Sequence, residues 1–175
     1  FTEGIISTTS TFLNNLKKKV FHKNSKIKNL EINFFTPSQI CFMRANTFST
    51  KEPETLLWIE EFGGKAGVLY DIGANVGVFS IYPAKRYNDI QIYSFEPEVS
   101  NLAYLKENII ENSITEKVAI YGLGISNSVG LSKLHLQDLT AGSALHTEDT
   151  KNIESSATGN NPIIWTEGIY TVSLD

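Results

Sequence analysis

Apolar residues along this chain fall into two rhythms, and the switches between them mark the elements. Val68-Leu69-Tyr70, Gln91-Ile92-Tyr93-Ser94-Phe95 and Val118-Ala119-Ile120-Tyr121 are short runs rich in β-branched and aromatic residues, the pattern of sheet strands. Between them the period lengthens. Val78-Phe79-Ser80-Ile81-Tyr82 opens one helical stretch, and Leu102, Leu105 and Ile109 share one face of another from Ser100 to Asn112. Strand alternating with helix predicts a parallel α/β sheet with right-handed crossovers. A further helix is expected to start near Pro53, since proline suits the first turn and Glu52 and Glu54 complement the positive end of the helix dipole. Its Leu56, Ile59 and Phe62 should face the core, with Gly63-Gly64 ending it.

The flanks are less regular. Phe12, Leu16 and Val20 recur at helical spacing in a lysine-rich segment, so a short amphipathic helix is expected there with its charges solvated. Glu31 to Phe34 and Gln39 to Phe42 alternate in polarity around Thr36-Pro37-Ser38, which predicts a β-hairpin. Arg44 follows it and reads first as a surface ion pair, with contact to cofactor or acceptor as the alternative. After the third strand, Leu131, Leu134 and Leu136 predict one or two shorter strands, with His135 on the opposite face. Residues 147–162 are rich in Ser, Thr, Asn and Glu and read as an exposed loop. A strand-like pattern resumes at Ile163-Ile164-Trp165 and Tyr170-Thr171-Val172.

The candidate chemistry sits where the first parallel strand ends. Tyr70-Asp71-Ile72-Gly73-Ala74-Asn75-Val76-Gly77 carries an apolar run into a carboxylate and then turns through two glycines into a helix. Glycine at 73 permits a backbone geometry closed to other residues, and glycine at 77 permits close approach. The loop departs from the dinucleotide fingerprint, because Asn75 stands where the second glycine lets a backbone touch a pyrophosphate. Asp71 would also repel phosphate. A nucleoside with a cationic end and no phosphate suits such a loop, and S-adenosyl-L-methionine fits that description. Glu96 closes the second strand, 25 residues after Asp71, near the spacing at which an acid reaches ribose hydroxyls in βαβ nucleotide folds. Pro97 stops that strand at once.

With these motifs in view, the block from Thr47 to Ile59, the Tyr70–Gly77 loop and Ser94-Phe95-Glu96-Pro97 together resemble the FkbM family of S-adenosylmethionine-dependent methyltransferases. Asn101-Leu102, Asn108-Ile109 and Leu123-Gly124-Ile125-Ser126 continue the likeness. The resemblance implies a Rossmann-like class I methyltransferase sheet, incomplete, with an N-terminal helix and hairpin extension over residues 1–48 and the cofactor-binding part of the domain over 49–175. It implies O-methyl transfer to a hydroxyl of a sugar, glycan or natural product. By the same resemblance Asp71, Gly73, Ala74, Asn75 and Gly77 hold the methionine end of the cofactor, Glu96 the ribose, and Leu123 and Gly124 the adenine. The loop Thr140–His146 would border the acceptor, bringing Ser143 and His146 near it. The chain's Ser173-Leu174-Asp175 ending precedes further strands in that family, so the sequence reads as a partial enzyme. No catalytic base or metal ligand set is named.

Composition narrows the remaining classes. The 175 residues are 41% hydrophobic with a net charge of −4, ordinary for one globular domain, and the mild acidity offers no footprint for nucleic acid. Partners are therefore expected to be a small-molecule or glycan acceptor, with no nucleic acid and no integral membrane segment, in a cytoplasmic protein of open oligomeric state. The lone Cys41 excludes a disulfide framework and reads as buried and inert. Two alternatives stay open: a nicotinamide-dependent Rossmann oxidoreductase, and a non-catalytic nucleoside-binding remnant.

Overall fold

The computed structural model describes residues 22–27, 29–144, 146–148 and 162–175. Strands β1 (His22–Ile27) and β2 (Leu30–Phe35) lead into helices α1 (Gln39–Lys51) and α2 (Pro53–Ala66). Then β3 (Val68–Ile72), α3 (Val78–Arg86), β4 (Gln91–Phe95), α4 (Val99–Glu111) and β5 (Val118–Tyr121) alternate as the periodicity predicts. The chain continues through β6 (Gly124–Ile125), β7 (Gly130–Leu136), β8 (Thr147–Glu148) and β9 (Trp165–Val172).

Strands β3, β4 and β5 lie side by side in that order, all parallel, with Tyr70 beside Tyr93 and Ser94 beside Ile120. Three parallel strands alternating with helices make this an open, Rossmann-like α/β sheet. A mixed sheet of order β6-β9-β7-β8 stands beyond it, where β6 runs parallel to β9 and β7 antiparallel. Side-chain alternation divides the parallel sheet into two unlike faces. On one, Leu69, Ile92 and Val118 pack with Ile81, Tyr82, Leu105 and Ile109 from α3 and α4 into the main core. On the other, Tyr70 stacks on Tyr93 and Phe95 on Tyr121, with centroids 5.5 and 5.2 Å apart. Tyr70 there is 59% exposed and Ile72 49%.

The N-terminal hairpin differs from the sequence expectation. Strands β1 and β2 form it, and residues 39–42 are the first turn of α1. Ser38 reads equally as a turn residue and as a helix cap; here its hydroxyl accepts from the Cys41 amide at 3.0 Å. Four alternating residues cannot separate the two outcomes, whereas Cys41, Ala45 and Phe48, all buried, carry the helical period onward. The polar β1 gives no hydrophobic alternation to read; it is held by backbone pairing and by Asn24 donating to Asn33. Ile32 and Phe34 of β2 belong to the main core, so the hairpin is packed against the sheet domain. The amphipathic stretch of Phe12, Leu16 and Val20 lies outside the described residues.

Helix α2 begins at Pro53 as expected but runs past the glycine pair to Gly67, whose left-handed φ of 69° ends it. Gly63 and Gly64 instead make room for the Tyr87 ring: a Cβ on Gly63 would sit 2.6 Å from it. Ile59 is buried and Leu56 packs on the core, while Phe62 faces outward beside Trp58. No helix among the described residues is long and apolar enough to cross a membrane.

Candidate functional site

The glycine loop joins β3 to α3 at the carboxyl ends of the parallel strands, where open α/β sheets take ligands. Its backbone is left-handed three times, at Gly73 (φ 74°), Asn75 (φ 51°) and Gly77 (φ 88°). Asparagine tolerates that region better than most residues, so Asn75 does the backbone work of a glycine. Its side chain adds what glycine cannot: Oδ1 accepts from the Val76 amide at 3.0 Å and Nδ2 donates to the Ser143 carbonyl at 2.6 Å. The amides of Gly73 and Ala74 both donate to the Phe95 carbonyl, tying the loop to the end of β4.

Both acids are engaged within the protein. Asp71 accepts from the Ser80 hydroxyl, which also lies 2.8 Å from Ser94 Oγ, so β3, α3 and β4 are linked by one polar chain. Burial raises the Asp71 pKa, and the Ser80 hydrogen bond opposes that rise. Glu96, 5% exposed, accepts from the Asn75 amide at 2.7 Å through Oε2 and from the Glu98 amide at 2.9 Å through Oε1. Burial raises its pKa too, against the pull of those amides. The Asn101 side chain adds a further hydrogen bond to the carboxylate. Glu96 therefore fastens the glycine loop to the β4 end. Glu98, unread in the sequence, caps α4 by accepting from Ser100 and Asn101 amides. An acid directly before the apolar period of that helix was the available signal.

A cavity of about 210 Å³ opens beside the loop, bordered by Gly73, Phe95, Pro97, Leu123, Gly124 and His146. Gly124 is buried, and an added Cβ would meet Thr171 and Ile169 of β9 at 3.1 and 3.2 Å. Glu148 also lines the cavity and accepts from the Ser126 and Ser132 hydroxyls. Burial lowers the His146 pKa, which keeps the imidazole neutral near pH 7; its Nε2 lies 3.2 Å from Ser143 Oγ. His135 stays on the outer side of β7, 2.9 Å from Thr166 Oγ1. Trp165 is exposed. Among the described residues no group of three or more His, Cys, Asp or Glu side chains could hold a metal ion.

The segment 138–146 is pinned across this region from several sides. Fully buried Asn101 accepts from the Gly142 amide at 2.9 Å and donates to the Ser143 carbonyl at 3.2 Å. These partners lie some forty positions away in sequence. Arg44 Nε donates to the Gly142 carbonyl at 2.6 Å, so this guanidinium is committed to the loop and not to the surface ion pair expected of it. Cys41, buried with its pKa raised by that burial, donates to Ala141. Asn101→Ala should cost about 1–3 kcal/mol, the penalty for leaving the Gly142 amide unpaired. Urea unfolding gives the loss, and faster amide exchange at Gly142 locates it; unchanged exchange there would contradict the clamp.

No family model matches the chain. A curated protein of Sordaria araneosa, "Methyltransferase sdnD", is 30% identical over 90 residues, covering 51% of this chain, and the chain spans about a third (35%) of that protein's length. Similar solved structures include M. jannaschii TYW2 in complex with AdoMet, at 16% identity over 62% of this chain and 52% of that one, with a TM-score of 0.38. They also include the Pyrococcus abyssi tRNA (uracil-54, C5)-methyltransferase with S-adenosyl-L-homocysteine, at 13% identity, 61% and 28% coverage and a TM-score of 0.39. The M. jannaschii tRNA m1G37 methyltransferase follows at 19% identity, 62% and 34% coverage and a TM-score of 0.37. Two expectations are corrected here. The FkbM assignment is withdrawn, with the glycan O-methyl transfer it implied, because no family model matches the chain. Its most specific block, Thr47 to Ile59, turns out to span the end of α1 and the start of α2, where helix boundaries account for the Lys-Glu-Pro-Glu run. The exclusion of nucleic acid is withdrawn as well, since it rested on net charge alone. Net charge describes the whole chain and does not report on a local binding surface.

Proposed function

We propose that this chain binds S-adenosyl-L-methionine at the carboxyl ends of β3, β4 and β5 and forms the donor-binding part, residues 49–175, of a methyltransferase. The observation that carries the reading is the thrice left-handed loop between β3 and α3, with Asp71 at its entrance and the cavity at its side. The name of the Sordaria araneosa relative agrees with it.

The donor set suits this ligand better than a dinucleotide. Glu148 lines the cavity, Asp71 and Glu96 flank the glycine loop beside it, and no lysine or arginine lines the cavity among the described residues. A pyrophosphate would meet carboxylates there; an ammonium and a sulfonium would be drawn to them. The cavity is smaller than a site enclosing a whole drug-sized ligand, which suits the nucleoside end alone, with the methionine end lying along the loop. In this reading Asp71 and the backbone of Gly73, Ala74, Asn75 and Gly77 hold the methionine end, Glu96 offers its remaining acceptor site to the ribose, and Leu123 and Gly124 flank the adenine. The bound donor supplies an electrophilic methyl group, and the protein's share is to position it and exclude water.

Isothermal titration with S-adenosylhomocysteine and, separately, NAD tests this directly. Saturable heat with the former and none with the latter is expected. Heat from NAD alone would return the oxidoreductase reading.

A further inference from the structure

We infer that a groove along α1 seats the second substrate, a small amphipathic anion carrying a carboxylate or phosphate beside an aliphatic portion. This rests on the donor site proposed above.

Helical spacing places Ile40, Arg44, Thr47 and Lys51 on one stripe of α1, four, seven and eleven residues along from the first. The neighbouring stripe, Cys41, Ala45 and Phe48, is buried against the core. The first stripe is therefore left to line a groove of about 360 Å³, with Met43 and Thr50 completing its wall. That volume is in the range of small-molecule sites. Ile40 and Met43 give it an apolar end, while Arg44 and Lys51 give it charge.

Its charge runs against that of the chain. The protein carries −4 overall, yet this wall presents two cations, and no described carboxylate lies within ion-pair distance of either. Arg44 is held in place through Nε on the Gly142 carbonyl, which leaves the terminal nitrogens of its fork for a ligand. A second, smaller hollow shares Arg44, Thr47 and Lys51 with the groove and continues to Val78 and Phe79, the first residues of α3 after the glycine loop. Glu52 is the acid that borders this inner hollow. The groove thus runs from a cationic wall toward the loop assigned to the donor, as an acceptor must if its nucleophile is to meet the methyl group in line. One arginine would suffice for the donor's own carboxylate; a second cation two turns away and an apolar end extend beyond that need.

Decanoate serves as the probe, with decylammonium as its charge-reversed control, followed by amide chemical shifts on the full chain. Decanoate should shift amides of α1 and the start of α3, and decylammonium should not. Lys51→Glu, an exposed change that leaves the fold intact, and Arg44→Gln should each weaken decanoate by about tenfold. Shifts confined to the aromatic face of β3 to β5, or an affinity untouched by Lys51→Glu, would overturn the proposal. So would Arg44→Gln weakening S-adenosylhomocysteine while sparing decanoate, because the cation would then serve the donor. If the wild type binds decanoate on α1 but not S-adenosylhomocysteine, the donor reading fails and the groove stands.

Discussion

Gly77→Ala is expected to destabilise the protein by roughly 2–6 kcal/mol, from two separable causes. The first is backbone strain. Gly77 has φ 88°, and an L-residue held there costs about 1–3 kcal/mol. The second is overlap. A Cβ at this position would lie 2.4 Å from Leu105 Cδ1, and Leu105 is fully buried in the main core, so the leucine has no empty space to enter. Forcing extra volume into a packed core costs about 1–3 kcal/mol. A double-mutant cycle with Leu105→Ala separates the two. Leu105→Ala alone should cost about 2–5 kcal/mol through the cavity it leaves. Combined with Gly77→Ala it should recover the overlap part and leave the strain, giving a non-additive total in urea unfolding. Strict additivity would mean that α4 does not press on the loop as described. The same contact explains why this glycine is needed at the helix start while Gly73, with nothing within 4 Å of an added Cβ, is needed only for its φ.

What the sequence disclosed and what it concealed divide along physical lines. The parallel strands and crossover helices were legible because each is amphipathic on its own: Leu105 and Ile109 recur at helical spacing and are buried together. The glycine loop was legible because chirality restricts which residues can turn there. Partners far apart in sequence were not. The Asn101 bonds to Gly142 and Ser143 and the Arg44 bond to Gly142 cross 41, 42 and 98 positions, and no local pattern announces them. The Ser38 cap was hidden for the opposite reason: its signal was local but shared by turn and helix alike. Glu96 shows a third limit. Position at a strand tip suggested a ligand, yet its oxygens first serve the backbone of Asn75 and Glu98. A residue type at a strand end specifies what it can accept, and only the folded loop decides which donors arrive.

Asp71→Asn should separate stability from binding more sharply than any other change at this site. Burial raises the Asp71 pKa, so the folded chain holds its proton more tightly than the unfolded chain does. Between the ordinary aspartate value and the raised one, the unfolded state binds fewer protons, and stability must fall as pH rises through that window. Wherever it is ionised, the side chain therefore stands as a net cost to the fold. Asparagine has the same shape and retains an oxygen for the Ser80 hydroxyl, yet carries no charge to desolvate. The variant should match or exceed the wild type in urea unfolding at pH 7, and its stability should fall less as pH rises above roughly 4. Glu96, raised by burial in the same sense, accounts for the slope that remains. Binding should move the other way. If Asp71 meets the donor's cationic end, losing one charge-assisted bond weakens S-adenosylhomocysteine by roughly ten- to a hundredfold in calorimetry. A variant less stable at pH 7 with undiminished affinity would make Asp71 a structural acid, held for Ser80 alone. A carboxylate that lowers stability where it sits is explained when a ligand's positive charge completes its surroundings, and the opposed signs of these two measurements are the test of that explanation.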